Sequence, residues 1–139
     1  MAEFIFKKIA KDNGKTDDFL VCSAATSTEN VYRGQGAPVY APTKKILALH
    51  GISCDEKRAA VLQKDDYGKY DLFICMDDMN IRDTIRIFGR DKNGKVKKLL
   101  DYAGGGNVAD PWYSGDFETA YRDILTGCRE LYKNLQFDT

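Results

Sequence analysis

The stretch Tyr70-Asp71-Leu72-Phe73-Ile74-Cys75-Met76 carries five consecutive apolar residues after its aspartate. A half-exposed strand alternates apolar and polar residues. A continuous apolar run fits a parallel strand covered on both faces. A parallel strand needs crossover connections, and the sequence supplies helical patterns around it. Ala2, Ile5, Phe6, Ile9 and Ala10 share one helical face over residues 2–12, and Asn13-Gly14 stops that helix. Pro42 starts a second, with Ile46, Leu47 and Leu49 on its apolar side and Gly51 as its stop. Asp77 or Asp78 caps a third, whose face is Ile81, Thr84, Ile85 and Phe88. The last spans about 116–135, with an unbroken stripe from Phe117 through Ala120, Tyr121, Ile124, Leu125, Cys128, Leu131 and Tyr132 to Leu135. Between them, Phe19-Leu20-Val21-Cys22 and Val96 to Leu100 read as strands. Ser23 to Gly36 reads as a long loop and Asn93-Gly94 as a turn. Alternation of this kind predicts an α/β protein of three layers, a mostly parallel sheet with helices on both faces.

With 139 residues, 43% of them hydrophobic, and neither repeats nor a linker, residues 1–139 are expected to form a single domain. The 21 basic residues balance the 21 acidic ones, which argues against a broad nucleic-acid or membrane-surface role. No apolar run reaches the roughly 18–20 residues of a spanning helix. Met1-Ala2-Glu3-Phe4 lacks the layout of a signal peptide, so a cytoplasmic location is expected. The single histidine, His50, and the absence of a CxxC pair exclude the usual Cys/His zinc sites, and neither metal nor cofactor is expected. His50 reads as a residue at a helix end, beside the negative end of the dipole. Cys22, Cys75 and Cys128 fall in apolar patterns and are expected to be buried thiols; Cys54, in a polar turn, is expected to be exposed.

The remaining motifs occur together in one known group. They are Met1-Ala2-Glu3-Phe4-Ile5-Phe6 at the first helix, Ser23-Ala24-Ala25-Thr26-Ser27-Thr28, His50-Gly51-Ile52, and Tyr70-Asp71 leading to Met76-Asp77 and Asn80. Asp110-Pro111-Trp112-Tyr113 and Asp116-Phe117-Glu118 with Tyr121 complete the series. In this order and spacing the chain resembles the low-molecular-weight protein tyrosine phosphatases from residue 1 to about 135. The resemblance implies their flavodoxin-like scaffold with sheet order 2-1-3-4. It also implies hydrolysis of a phosphotyrosine protein or a small aryl phosphate through a cysteinyl-phosphate intermediate. Asp110 matches the general acid that protonates the departing tyrosine oxygen and then helps activate water. Pro111 stiffens its loop. Trp112 and Tyr113 match the aromatics flanking the substrate ring. Ser23 matches a serine that orders the phosphate loop, and it also suits a plain strand-end cap. Glu29 stands where relatives commonly carry a pocket-wall aromatic, with Tyr32 and Tyr40 as nearby rings.

The family's nucleophile loop, Cys-x5-Arg-Ser/Thr, lies in relatives between a first strand and the first helix. In this sequence the sixth residue after each cysteine is Thr28, Ala60, Ile81 or Asn134, never arginine. Such a loop supplies backbone N–H groups to a phosphate, a thiolate of lowered pKa and an arginine fork. The resemblance therefore implies a scaffold missing its first strand and inactive as it stands. An N-terminally truncated phosphatase is the leading expectation. A non-catalytic binding or interaction module on the same scaffold is the alternative, and a relative of arsenate reductase the third. Loss of an internal strand exposes two strand edges, at 19–22 and 71–76, so self-association into a homo-oligomer is expected.

Overall fold

The computed structural model describes residues 1–26, 31–32, 35–36, 41–52, 60–108 and 115–137. Helix α1 is Ala2–Asp12, as its spacing predicts. It ends where Asn13 turns back: the Asn13 side-chain amide donates to the Ile9 carbonyl at 2.8 Å, and Gly14 follows at φ +69°. A 3-10 turn, Thr16–Asp18, leads into an extended segment.

At residues 19–22 the structure departs from the expected buried strand. Residues 19–24 are extended but make no backbone ladder bond among the described residues. The pairing that does form lies one step later, a parallel bridge between Ala25 and Val61. An apolar sequence alone does not make a strand; it needs a neighbour to complete its hydrogen bonds. Without one, Leu20 is 77% exposed and Cys22 lies at the surface, contrary to the burial expected for that thiol.

The expected loop up to Gly36 contains a small antiparallel ladder, β1 (Val31–Tyr32) against β2 (Gln35–Gly36). Helix α2 is Ala41–Leu49 and closes through Gly51 at φ +76°. Leu47 is completely buried, whereas Leu49, expected on the same side, is 70% exposed. Two residues along a helix is about 200° of rotation, so the two cannot share one narrow face.

Strand β3 is Phe73–Cys75, a shorter core of the 70–76 run, and it pairs in parallel with β4, Val96–Lys98. Phe73 lies opposite Val96, Ile74 opposite Lys97 and Cys75 opposite Lys98. The expected strand to Leu100 stops at Lys98, where a 3-10 turn, Leu99–Ala103, takes over. Helix α3, Asp78–Phe88, crosses between the two strands, and α4, Phe117–Phe137, ends the fold.

The pleat of β3 explains why its sequence is apolar throughout. Leu72, Ile74 and Met76 pack on a core built from α1, α2 and α4 around Ile5, Phe6, Leu47, Ile124, Cys128 and Leu131. Phe73 and Cys75 point the other way, into a second core with Phe88, Val96, Ile81 and Ile85. Successive strand residues face opposite sides, so a strand between two cores must be apolar at every position. The α3 face is the one the sequence predicts, with Thr84 and Phe88 fully buried.

Candidate active site

Two structural features converge at the carboxyl end of β3: the cap of α3 and the segment that leads to residue 109. After Cys75, Asp77 takes extended backbone and its Oδ1 accepts the Asn80 backbone N–H at 2.8 Å. Asn80 Oδ1 in return accepts the Met76 N–H at 3.2 Å. Asp77 thus caps α3, while the Asn80 side chain reaches one residue further back, to the last residue of the β3 run. The Met76 carbonyl then accepts the Val108 N–H at 2.9 Å, fixing the chain two residues before Asp110. Beside it, Asp78 Oδ1 accepts the Lys98 ammonium at 2.8 Å and Oδ2 the Asn107 amide at 3.4 Å. The Lys98 bond, then that of Asn107, holds the Asp78 carboxyl below its ordinary value.

The far end of the same segment is also fixed. Asp116 caps α4: Oδ1 accepts the Thr119 N–H at 3.0 Å and Oδ2 its hydroxyl at 2.7 Å. These two bonds, the backbone one first, pull the Asp116 carboxyl below its usual range. Asp110, Trp112 and Tyr113 lie outside the described residues, as do Glu29, Tyr40 and Cys54.

Ser23 lies within them. Its hydroxyl donates to Glu3 Oε1 at 2.6 Å, and Lys7 donates to the other oxygen at 2.9 Å. Glu3 is 5% exposed although it stands in the first turn of α1. A buried carboxylate needs hydrogen bonds to both oxygens, and Ser23 and Lys7 supply them. The Glu3–Ser23 bond ties the start of α1 to the extended segment after Phe19. Sequence reasoning missed Glu3 as a site residue, because an acid in a first helical turn is ordinarily explained by the dipole. The one signal was its place in the Met1-Ala2-Glu3 motif.

His50 follows α2, as expected, and stacks on Tyr121 with ring centroids 3.9 Å apart and planes 10° from parallel. Its Nε2 lies 3.3 Å from Glu118 Oε1. Cys75 and Cys128 are buried as predicted. Burial pushes the Cys128 thiol up to about 12 and raises that of Cys75 despite its Thr84 contact. A thiolate is the nucleophilic form, so neither thiol is available for attack at neutral pH. Among the described residues no cluster of His, Cys, Asp or Glu is arranged to hold a metal. No described helix is long and apolar enough to cross a membrane.

A parallel sheet between two helical layers is the α/β architecture in which ligands ordinarily bind beyond the strands' carboxyl ends, and Asp77, Asp78, Asn80 and Asn107 gather at that end here. The chain belongs to the low molecular weight phosphotyrosine protein phosphatase family, whose sequence pattern matches residues 1–139. It is 32% identical to the low molecular weight protein-tyrosine-phosphatase YfkJ of Bacillus subtilis, over 98% of this chain and 86% of that protein. The crystal structure of YfkJ superposes with a TM-score of 0.92 over 99% of this chain and 86% of YfkJ, at 31% identity. The low molecular weight protein tyrosine phosphatase SP-PTP of Streptococcus pyogenes superposes at 0.84, covering 96% of this chain and 82% of that one, at 28% identity. The three-layer, flavodoxin-like fold expected from the sequence is the fold of these phosphatases.

Proposed function

We propose that this chain is the acid-loop and substrate-positioning part of a protein tyrosine phosphatase. Phosphotyrosine monoesters would be hydrolysed through a cysteinyl phosphate, without metal or cofactor. Asp110 is the general acid, giving its proton to the leaving phenol and then taking one from the attacking water. Trp112 and Tyr113 flank the substrate ring. Ser23 holds Glu3 at the start of α1, beside the position where the family's phosphate loop enters. The substrate is a phosphotyrosine protein or a small aryl phosphate. The observation that carries this reading is the anchoring of the chain just before residue 109, Val108 on the Met76 carbonyl, at the sheet edge where α/β proteins bind ligands, with Asp116 capping α4 just after the segment.

Residues 1–139 contain no Cys-x5-Arg sequence, and by this reading they carry no nucleophile of their own. That fact also favours a second reading, a binding module on the phosphatase scaffold. One experiment separates the two. The 139-residue chain is assayed on p-nitrophenyl phosphate and on a phosphotyrosine peptide, alone and with a family-type strand and Cys-x5-Arg-Ser loop joined ahead of Met1. The phosphatase reading expects no turnover by the first and vanadate-sensitive turnover by the second. A folded, loop-bearing protein that binds the peptide without hydrolysing it supports the binding module. The same reading includes self-association through the strand edges at 19–22 and 71–76.

A further inference from the structure

A groove of about 450 Å³ runs between α1 and α4. Its apolar lining includes Ile5, Ile9 and Leu125, and its polar lining includes Tyr121, Arg129, Lys8 and the Asp12 carboxylate. This volume lies in the roughly 300–1,000 Å³ range of small-molecule sites. The cations around it are not equivalent. Lys8 is paired with Asp12 at 3.1 Å and Lys133 with Glu130 at 3.2 Å. Arg129 has no ion-pair partner among the described residues.

Tyr121 adds a second, independent observation. Its ring is held by the His50 stack, yet its hydroxyl makes no hydrogen bond among the described residues. The residue is 7% exposed, and a buried phenol ordinarily finds a partner. No described side-chain polar atom is both unsatisfied and sealed from solvent, so the hydroxyl opens on accessible space. Burial raises its pKa, the charges of Arg129 and Lys8 oppose that rise, and Glu118 adds to it. Glu118 is engaged by His50 and Arg122.

We infer that this groove binds a small aromatic carboxylate, its rings on Ile5, Ile9 and Leu125 and its two oxygens shared between the Arg129 guanidinium and the Tyr121 hydroxyl. One free guanidinium fork and one hydroxyl match the two oxygens of a planar carboxylate. A phosphate dianion calls for a further full charge, which Lys8 and Lys133 give to Asp12 and Glu130. None of the residues assigned to phosphoester chemistry lines the groove, and binding there needs no nucleophile, so the 139-residue chain itself tests it.

Biphenyl-4-carboxylate and its neutral analogue biphenyl-4-methanol serve as probes, followed by amide chemical shifts and calorimetry. The carboxylate should saturate, shift α1 and α4 amides around the groove, and bind about tenfold or more tighter than the alcohol. Arg129→Gln and Tyr121→Phe should each weaken the carboxylate and leave the alcohol unchanged. Arg129 is exposed, so its replacement spares the core. Arg129→Lys, which keeps the charge and loses the fork, should recover only part of the affinity. Equal affinity for the two probes, an Arg129→Gln chain that binds the carboxylate as before, or shifts confined to Ser23 and the β3 edge would each overturn the assignment. So would the absence of saturation at millimolar concentration.

Discussion

In the proposed reading Asp110 and Asp116, at the two ends of one stretch of sequence, have opposite tasks. A general acid must be protonated when the leaving group departs, and it contributes about 10²–10⁴-fold. In the loop-bearing protein, Asp110→Ala is expected to lower kcat within that range for poor leaving groups such as phenyl phosphate, and much less for p-nitrophenyl phosphate. A leaving oxygen of high pKa needs the proton most, so equal losses across a leaving-group series would remove Asp110 from the acid role. Asp116 must stay ionised, because its charge accepts two bonds from Thr119. Its folded pKa is depressed, so its contribution is complete above the unfolded carboxylate value, about 3.9, and fades as pH falls through the folded value. Urea midpoints measured from pH 6 down to pH 2.5 should therefore fall less steeply for Asp116→Asn, which keeps a capping oxygen and loses the titration. A slope unchanged by the substitution would deny Asp116 that share. The role given to Asp110 rests on the family resemblance, at a position outside the described residues. Glu3 was not legible in the sequence, because its burial depends on Ser23, twenty positions away and on another element.

At the scale of elements, periodicity predicted most of what formed. The bounds of α1 and the stripe of α4 follow from spacing alone, and the pleat of β3 accounts for its continuous apolar run. Spacing could not show how closely the α4 backbone approaches the turn after β4. Gly127 sits inside that helix, where glycine costs about 1 kcal/mol relative to alanine. A Cβ added there would lie 2.5 Å from Leu99 Cγ, and Leu99 is fully buried. Overpacking of this kind typically costs about 1–3 kcal/mol, more than the gain in helix propensity. Gly127→Ala should accordingly lower the unfolding free energy by about 1–2 kcal/mol. Combined with Leu99→Ala, it should cost less than the sum of the two single changes, since the second makes room for the first. Chemical denaturation of the four proteins decides the point. A Gly127→Ala chain more stable than the parent would mean that propensity, not the Leu99 contact, governs this position.

For the whole molecule, the segment at 19–24 is the place where sequence and structure part. Its apolar residues read as an interior strand, but a strand is defined by its neighbours, and a single sequence does not show which neighbours are present. The structure leaves these residues extended, with their backbone unpaired among the described residues, and β3 pairs there with β4 alone. The two edges have therefore not closed on each other. Extended backbone with free N–H and C=O groups is a template for another chain, and Leu20, 77% exposed, adds an apolar contact. Natural edges of this kind are commonly protected by a charge, and the nearest candidates, Asp17 and Asp18, lie in the preceding 3-10 turn rather than on the edge itself. Self-association of the 139-residue chain is the expected outcome. Size-exclusion chromatography with light scattering at micromolar concentration should report a mass above the 15.7 kDa of one chain. Leu20→Lys, which places a charge on the edge and touches nothing in either core, should shift the population towards monomer without lowering the melting temperature. A parent chain that elutes as a monodisperse monomer and melts cooperatively would show that the unpaired edge is stable in water.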